Sequence, residues 1–96
     1  MFEKFDWILG RYEELSEAVS QPDIIADQAK WQKLLREHAQ LEPSVVAYRA
    51  YEETLKQLDE TRELLGHPDM EEMAREELGE LEKQKEQQEH ELKLLL

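Results

Sequence analysis

Three histidines and twenty-four carboxylates are the side chains of this 96-residue sequence best suited to proton or metal chemistry. A catalytic pair of carboxylates needs an environment that drives their pKa values apart, and a metal needs several ligands converging from different elements. His38 falls on an apolar stripe of helical period, so it reads as a half-buried structural histidine. His67 precedes Pro68 in a turn and reads as a surface residue. His90 has Glu86 one helical turn before it, which is half of a metal site. The first third of the chain holds no histidine to complete one. The acids recur like the charges of solvated helices, with Glu71 and Arg75, or Glu89 and Lys93, spaced as ordinary i,i+4 pairs. There is no glycine-rich phosphate loop and no nucleophile elbow. With no cysteine, thiolate sites and disulfides are excluded. No catalytic, cofactor-binding or metal residue is assigned, no cofactor is implied, and the chain is not expected to be an enzyme.

Charge narrows the partners. Twenty-four acids against twelve bases give a net charge of −12. Autonomous binding of nucleic acid needs clustered Lys and Arg, so the expected partner is a basic protein surface. No apolar run approaches a membrane span, and "MFEKFDWILG" lacks the basic start of a signal peptide. The expected location is cytoplasmic.

The elements that carry these residues are helices. Only three Gly and three Pro punctuate a chain rich in Glu, Leu, Lys and Gln. Phe5, Ile8, Tyr12, Leu15 and Val19 share one face, which predicts a first helix over about 2–19. "SQPD" ends it and Ser20–Ala26 reads as a connection. Asp27 is the expected N-cap of a second helix over about 27–65. Trp31, Leu34, His38, Leu41, Val45, Tyr48, Leu55, Leu58 and Leu65 keep one phase along it, and Gly66 stops it. Pro43 interrupts the run, but Leu41 and Val45 keep the phase across it, so a kinked helix is expected rather than a broken one. Asp69 and Glu72 have capping-box spacing before a third helix over about 69–95. Its inward face is Met70, Met73, Ala74, Leu78 and Leu81. The stripe then fails at Lys85 and Gln88 and resumes at Leu92 and Leu95, so its second half is expected to be poorly packed or frayed. The middle helix carries six bases and seven acids, and the flanking helices hold most of the excess acid. The expected fold is all-α: an antiparallel up-down-up three-helix bundle with a long central helix, spanning residues 1–96 as a single domain.

Two apolar features stand outside that pattern. Trp7 lies off the face of Phe5, Ile8 and Tyr12. It can cover a neighbouring helix or loop, which is the plainer reading, or anchor a partner, and it is the one candidate partner-binding residue. The chain ends "HELKLLL". Leu92 and Leu95 are expected to pack on the middle helix, while Leu94 and Leu96 point toward a following domain of a longer multidomain chain. A second reading is a stand-alone acidic coiled-coil adaptor that dimerises through Leu92 and Leu94–Leu96.

Longer runs carry a family resemblance. "RYEELSEAVSQPDIIAD", "WQKLLREHAQLEPSVVAYRAYEETL" and "EEMAREELGELEKQKEQQEHELKLLL" resemble, in order and spacing, the N-terminal domain of bacterial peptide chain release factor 1. The most specific parts are Arg36-Glu37-His38, Leu41-Glu42-Pro43, Ala47-Tyr48 and the closing "ELKLLL". Gln21, where an acid is common, and Gly79 depart from the pattern. The resemblance implies translation termination at UAA and UAG stop codons. It also implies a helical domain that docks on the ribosome at the base of the large-subunit stalk, near ribosomal protein L11, and lies against the release-factor glutamine methyltransferase. The family's codon-reading Pro-x-Thr type motif and its Gly-Gly-Gln motif lie in later domains, and neither occurs in these 96 residues.

Overall fold

Two of the helices begin at residues that favour a helix start, Pro22 and Asp27. The computed structural model describes residues 2–96, and among them the ordered elements are helical: α1 (Glu3–Ala18), α2 (Pro22–Ala26), α3 (Gln28–Glu63), a 3-10 turn (Leu64–Gly66) and α4 (Glu71–Leu95). The stretch read as a plain connection contains α2, a single turn with Pro22 at its start. Proline is pre-set for that position and loses no needed donor there. Asp27 closes α2 and caps α3. Its carbonyl accepts from Trp31 N at 2.9 Å, and its Oδ1 accepts from Lys30 N at 3.2 Å, which is the expected N-cap arrangement.

Helix α3 runs 36 residues with Pro43 inside it, about 54 Å at 1.5 Å per residue. The other expected signals act differently. Helix α4 starts after Met70, with no side-chain cap bond, so Asp69 and Glu72 form no capping box. Gly66 ends the 3-10 turn without a positive φ, so the chain leaves α3 by tightening its last turn rather than through a left-handed glycine.

The chain forms two compact units, one ending at Val46 and the other spanning Ala47–Leu96. In the first, α1 pairs antiparallel with residues 28–46 of α3. Trp31 Nε1 donates to the Val19 carbonyl at 3.1 Å, while Tyr12 and Arg11, further back on α1, meet His38 and Glu37. Its core is Phe2, Phe5, Ile8, Leu15 and Val45, all under a tenth exposed, with the Phe2 and Phe5 rings edge-on at 5.7 Å.

In the second unit α4 pairs antiparallel with the rest of α3. Tyr51 meets Glu89, Thr54 meets Gln84 and Arg62 meets Glu82. Its buried residues are Tyr51, Thr54, Leu58, Thr61, Ala74, Leu81 and Leu92. Three expected core residues are exposed instead: Leu65, Met73 at 53% and Leu95 at 41%. Leu65 lies in the 3-10 turn, where the α-helical phase no longer applies. The second half of α4 is not frayed. It stays helical to Leu95 and buries Leu92 to 1% exposure.

Candidate functional site

The three histidines stand apart. His38 is half-buried in the first unit and stacks on Tyr12 with ring centroids 4.1 Å apart and 20° between planes. Its Nε2 lies 2.8 Å from Ser16 Oγ, which is also 3.0 Å from the Tyr12 carbonyl. The serine hydroxyl thus bridges a backbone carbonyl and the imidazole, with the ring tautomer deciding which of the two nitrogen–oxygen partners donates. Stacking on Tyr12 and the contact to Ser16 together fix the orientation of the imidazole between α1 and α3. Ser16 was missed from sequence because 22 residues separate it from His38. Beside it Glu37 takes a two-pronged grip from Arg11, through Nε to Oε2 and through a terminal nitrogen to Oε1 at 3.1 Å. That grip holds the Glu37 carboxyl below the usual carboxylate range. His67 and His90 are exposed, and among the described residues no group of three or more His, Cys, Asp or Glu is placed to hold a metal ion.

The second unit holds a polar layer where the apolar stripe lapses. Tyr51 Oη donates to Glu89 Oε2 at 2.7 Å. Thr54 Oγ1 donates to the Ala50 carbonyl and accepts from Gln84 Nε2, both at 3.1 Å. Burial, with the Glu89 carboxylate second, pushes the Tyr51 phenol up to about 12. Gln88 Oε1 is buried in the same stretch without a hydrogen-bond partner. These groups brace two helices. A shallow depression on α4 is lined by Glu82, Lys83, Lys85, Glu86 and Glu89, side chains of both signs from a single helix.

What remains is surface. Trp7 is 66% exposed on the outer side of α1, so it covers no neighbour within its unit. Glu3 and Glu14 lie one turn before it and two turns after it on the same face. Gly10 is one turn on, with no atom within 4 Å of where a Cβ would stand. Lys4 and Arg11 stand on that face as well, one turn before and one turn after Trp7, and Arg11 pairs with Glu14 at 3.4 Å, so the indole sits among charges of both signs.

A family model described as the PCRF domain matches residues 8–96. The chain belongs to the PCRF domain family. It is also similar over its whole length to proteins named peptide chain release factor 1. The one from Finegoldia magna is 43% identical over 99 residues, and those from Pelobacter propionicus and Geobacter sulfurreducens are 46% and 43% identical over 96. Each match takes in all of this chain but only 27–28% of the relative. This PCRF domain therefore spans little more than a quarter of the length of those relatives. The resemblance to the N-terminal domain of bacterial release factor 1 holds across the chain. No solved structure matches it.

Proposed function

We propose that these 96 residues act as the N-terminal helical domain, an up-down-up arrangement of the long helices, of a class I peptide chain release factor. The protein serves translation termination at UAA and UAG codons in the cytoplasm. The domain docks on the bacterial ribosome at the stalk base, near ribosomal protein L11. It also lies against the methyltransferase that modifies the catalytic glutamine elsewhere in the protein. It does no chemistry itself, because codon reading and peptidyl-tRNA hydrolysis belong to later domains. One observation carries the reading: the similarity to release factor 1 proteins runs from one end of the chain to the other. The net charge of −12 supports a protein-facing role over an RNA-facing one. No helix among the described residues is long and apolar enough to cross a membrane.

The native reading frame tests this. It is expected to continue past Leu96 and encode Gly-Gly-Gln, and a stop codon directly after Leu96 overturns the proposal. The alternative, an adaptor dimerising through its terminal leucines, is weakened at one residue. Leu94, Leu95 and Leu96 are exposed, but Leu92 is already buried within its own unit.

A further inference from the structure

The pairing of α4 with α3 repeats too regularly for its period alone to fix the alignment. On α3 the buried and half-buried positions Ala47, Tyr51, Thr54, Leu58 and Thr61 recur at alternating steps of four and three. On α4 the positions Ala74, Leu78, Leu81, Lys85, Gln88 and Leu92 do the same. This is the heptad repeat of a coiled coil, which keeps one seam of each helix against the other. Sliding α4 along α3 by one heptad, about 10 Å at 1.5 Å per residue, returns each seam position to the seam. The connection between the helices holds the alignment weakly. Leu64–Gly66 is a 3-10 turn, residues 67–70 lie outside any helix, and α4 starts without a side-chain cap bond, so either helix can lengthen or shorten there.

The middle of the seam is polar. Thr54 Oγ1 accepts from Gln84 Nε2 at 3.1 Å, Tyr51 Oη donates to Glu89 Oε2 at 2.7 Å, and Gln88 Oε1 is buried there without a partner. A buried oxygen left unpaired costs stability, so stability alone does not account for this layer. Its bonds exist in one alignment only. A slip of α4 by one heptad in one direction sets the Tyr51 hydroxyl against Leu96 and Thr54 against Glu91. A slip in the other direction sets Thr54 against Glu77 and puts Arg62 against Arg75 in place of Glu82. Thr54 is 1% exposed, so in both cases a buried threonine faces a carboxylate that must shed water. In addition, either a phenol loses its acceptor or two like charges meet.

We propose that Tyr51, Thr54, Gln84, Gln88 and Glu89 form a register lock, which selects one of the heptad-related pairings of α3 and α4. Polar groups in a coiled-coil seam act in this way, lowering stability while excluding other alignments. The lock has a consequence at the end of α4. Leu94 is 75% exposed, and Leu95 and Leu96 are 41% and 49% exposed. A slip carries these three side chains about 10 Å along α3, so the lock sets the height at which an apolar cluster is presented. The inference rests on the second unit alone and is independent of the release-factor reading.

The test measures nitroxide distances in the 96-residue chain by double electron–electron resonance. The chain has no cysteine, so introduced ones are labelled selectively. One pair is Lys56→Cys with Glu77→Cys and the other is Lys56→Cys with Glu91→Cys. All three positions are exposed, and Glu77 and Glu91 stand one heptad to either side of Gln84. A slip therefore lengthens one distance as it shortens the other. Unlabelled chain is added in excess so that only distances within one molecule are read. With the layer intact each pair should give a single distance. Y51F/T54V removes the two bonds between the helices at nearly constant volume, and a second population of at least about a tenth should appear, with opposite shifts in the two pairs. Adding K85L/Q88L makes the α4 seam apolar. Helicity and the urea midpoint should then hold or rise while the second population grows to about a third or more. Restoring Thr54 in that fourfold variant should return most molecules to the original distances. The proposal is overturned if the folded fourfold variant keeps the single original distance in both pairs, if both pairs broaden alike, or if the layer-intact chain already shows two alignments. Should the fourfold variant fail to fold, unchanged distances in Y51F/T54V overturn it equally.

Discussion

Replacing Tyr51 with phenylalanine removes one oxygen and tests whether the polar layer of the second unit stabilises the fold. The Tyr51 hydroxyl donates to Glu89 at 2.7 Å from a residue 7% exposed. Hydrogen bonds to charged groups contribute roughly 1.5–3 kcal/mol, and Glu89 is only half-buried and can recover water, so the loss at neutral pH should be about 1.5 kcal/mol. The pH dependence is the sharper signature. The folded phenol titrates at about 12 against an ordinary value of 10. A raised folded pKa means the contribution is complete below pH 10 and is lost as pH climbs toward 12, because the unfolded chain releases its proton first. At pH 11 the unaltered protein has given up about 1.4 kcal/mol of it, the equivalent of one pKa unit. Urea unfolding followed by helical circular dichroism should therefore show a gap of about 1.5 kcal/mol between the two proteins at pH 8 that nearly closes at pH 11. Comparing the two cancels the other tyrosines and lysines. A gap that is constant from pH 8 to 11 refutes a fold-protected Tyr51, and no gap at pH 8 refutes the stabilising bond.

Four further outcomes are expected in the same unfolding assay. Leu92→Ala should cost about 2–5 kcal/mol as a buried truncation, whereas Leu94→Ala, at a 75% exposed site, should stay within about 0.5 kcal/mol of the unaltered protein. Gln88→Leu should stabilise by about 1 kcal/mol, since it removes a buried oxygen that lacks a partner. Asp27→Ala should cost about 1 kcal/mol through loss of the Lys30 cap, and Asp27→Asn should recover most of it. Glu37 sits below the usual carboxylate range because Arg11 hydrogen-bonds it, so its contribution is present above that range and is lost as pH falls through its lowered folded value. Glu37→Gln should flatten the acid limb of the stability profile.

The apolar period carried most of the fold. Phe5, Ile8 and Leu15 on α1, Val45 and Leu58 on α3, and Ala74, Leu81 and Leu92 on α4 are where a 3.6-residue repeat puts a core. Asp27 was legible because N-capping is a local geometry that needs only the next three residues. The failures share a cause in tertiary pairing. Thr54 and Thr61 look polar in the sequence and so did not count toward the stripe. Yet a threonine hydroxyl can be satisfied by the carbonyl one turn back, as Thr54 is by Ala50, and its methyl then packs like valine. Lys85 and Gln88 marked a lapse in the pattern that was read as fraying. In the folded unit the lapse faces the polar positions of α3, and Thr54 with Gln84 and Tyr51 with Glu89 bridge the helices. At the candidate surface the position of Trp7 off the apolar face was readable. Its lack of a covering neighbour, and the open space at Gly10, required coordinates.

The central claim is that this PCRF domain is the ribosome-docking part of a release factor. Its most direct test places these 96 residues in the corresponding quarter of the Geobacter sulfurreducens release factor 1, to which they are 43% identical. A photo-crosslinker goes at Trp7, and the chimera is bound to ribosomes programmed with UAA. The account predicts crosslinks from that position to protein at the base of the large-subunit stalk, competed away by the unaltered Geobacter factor. A folded chimera that binds these ribosomes yet crosslinks only elsewhere, or to RNA alone, contradicts it.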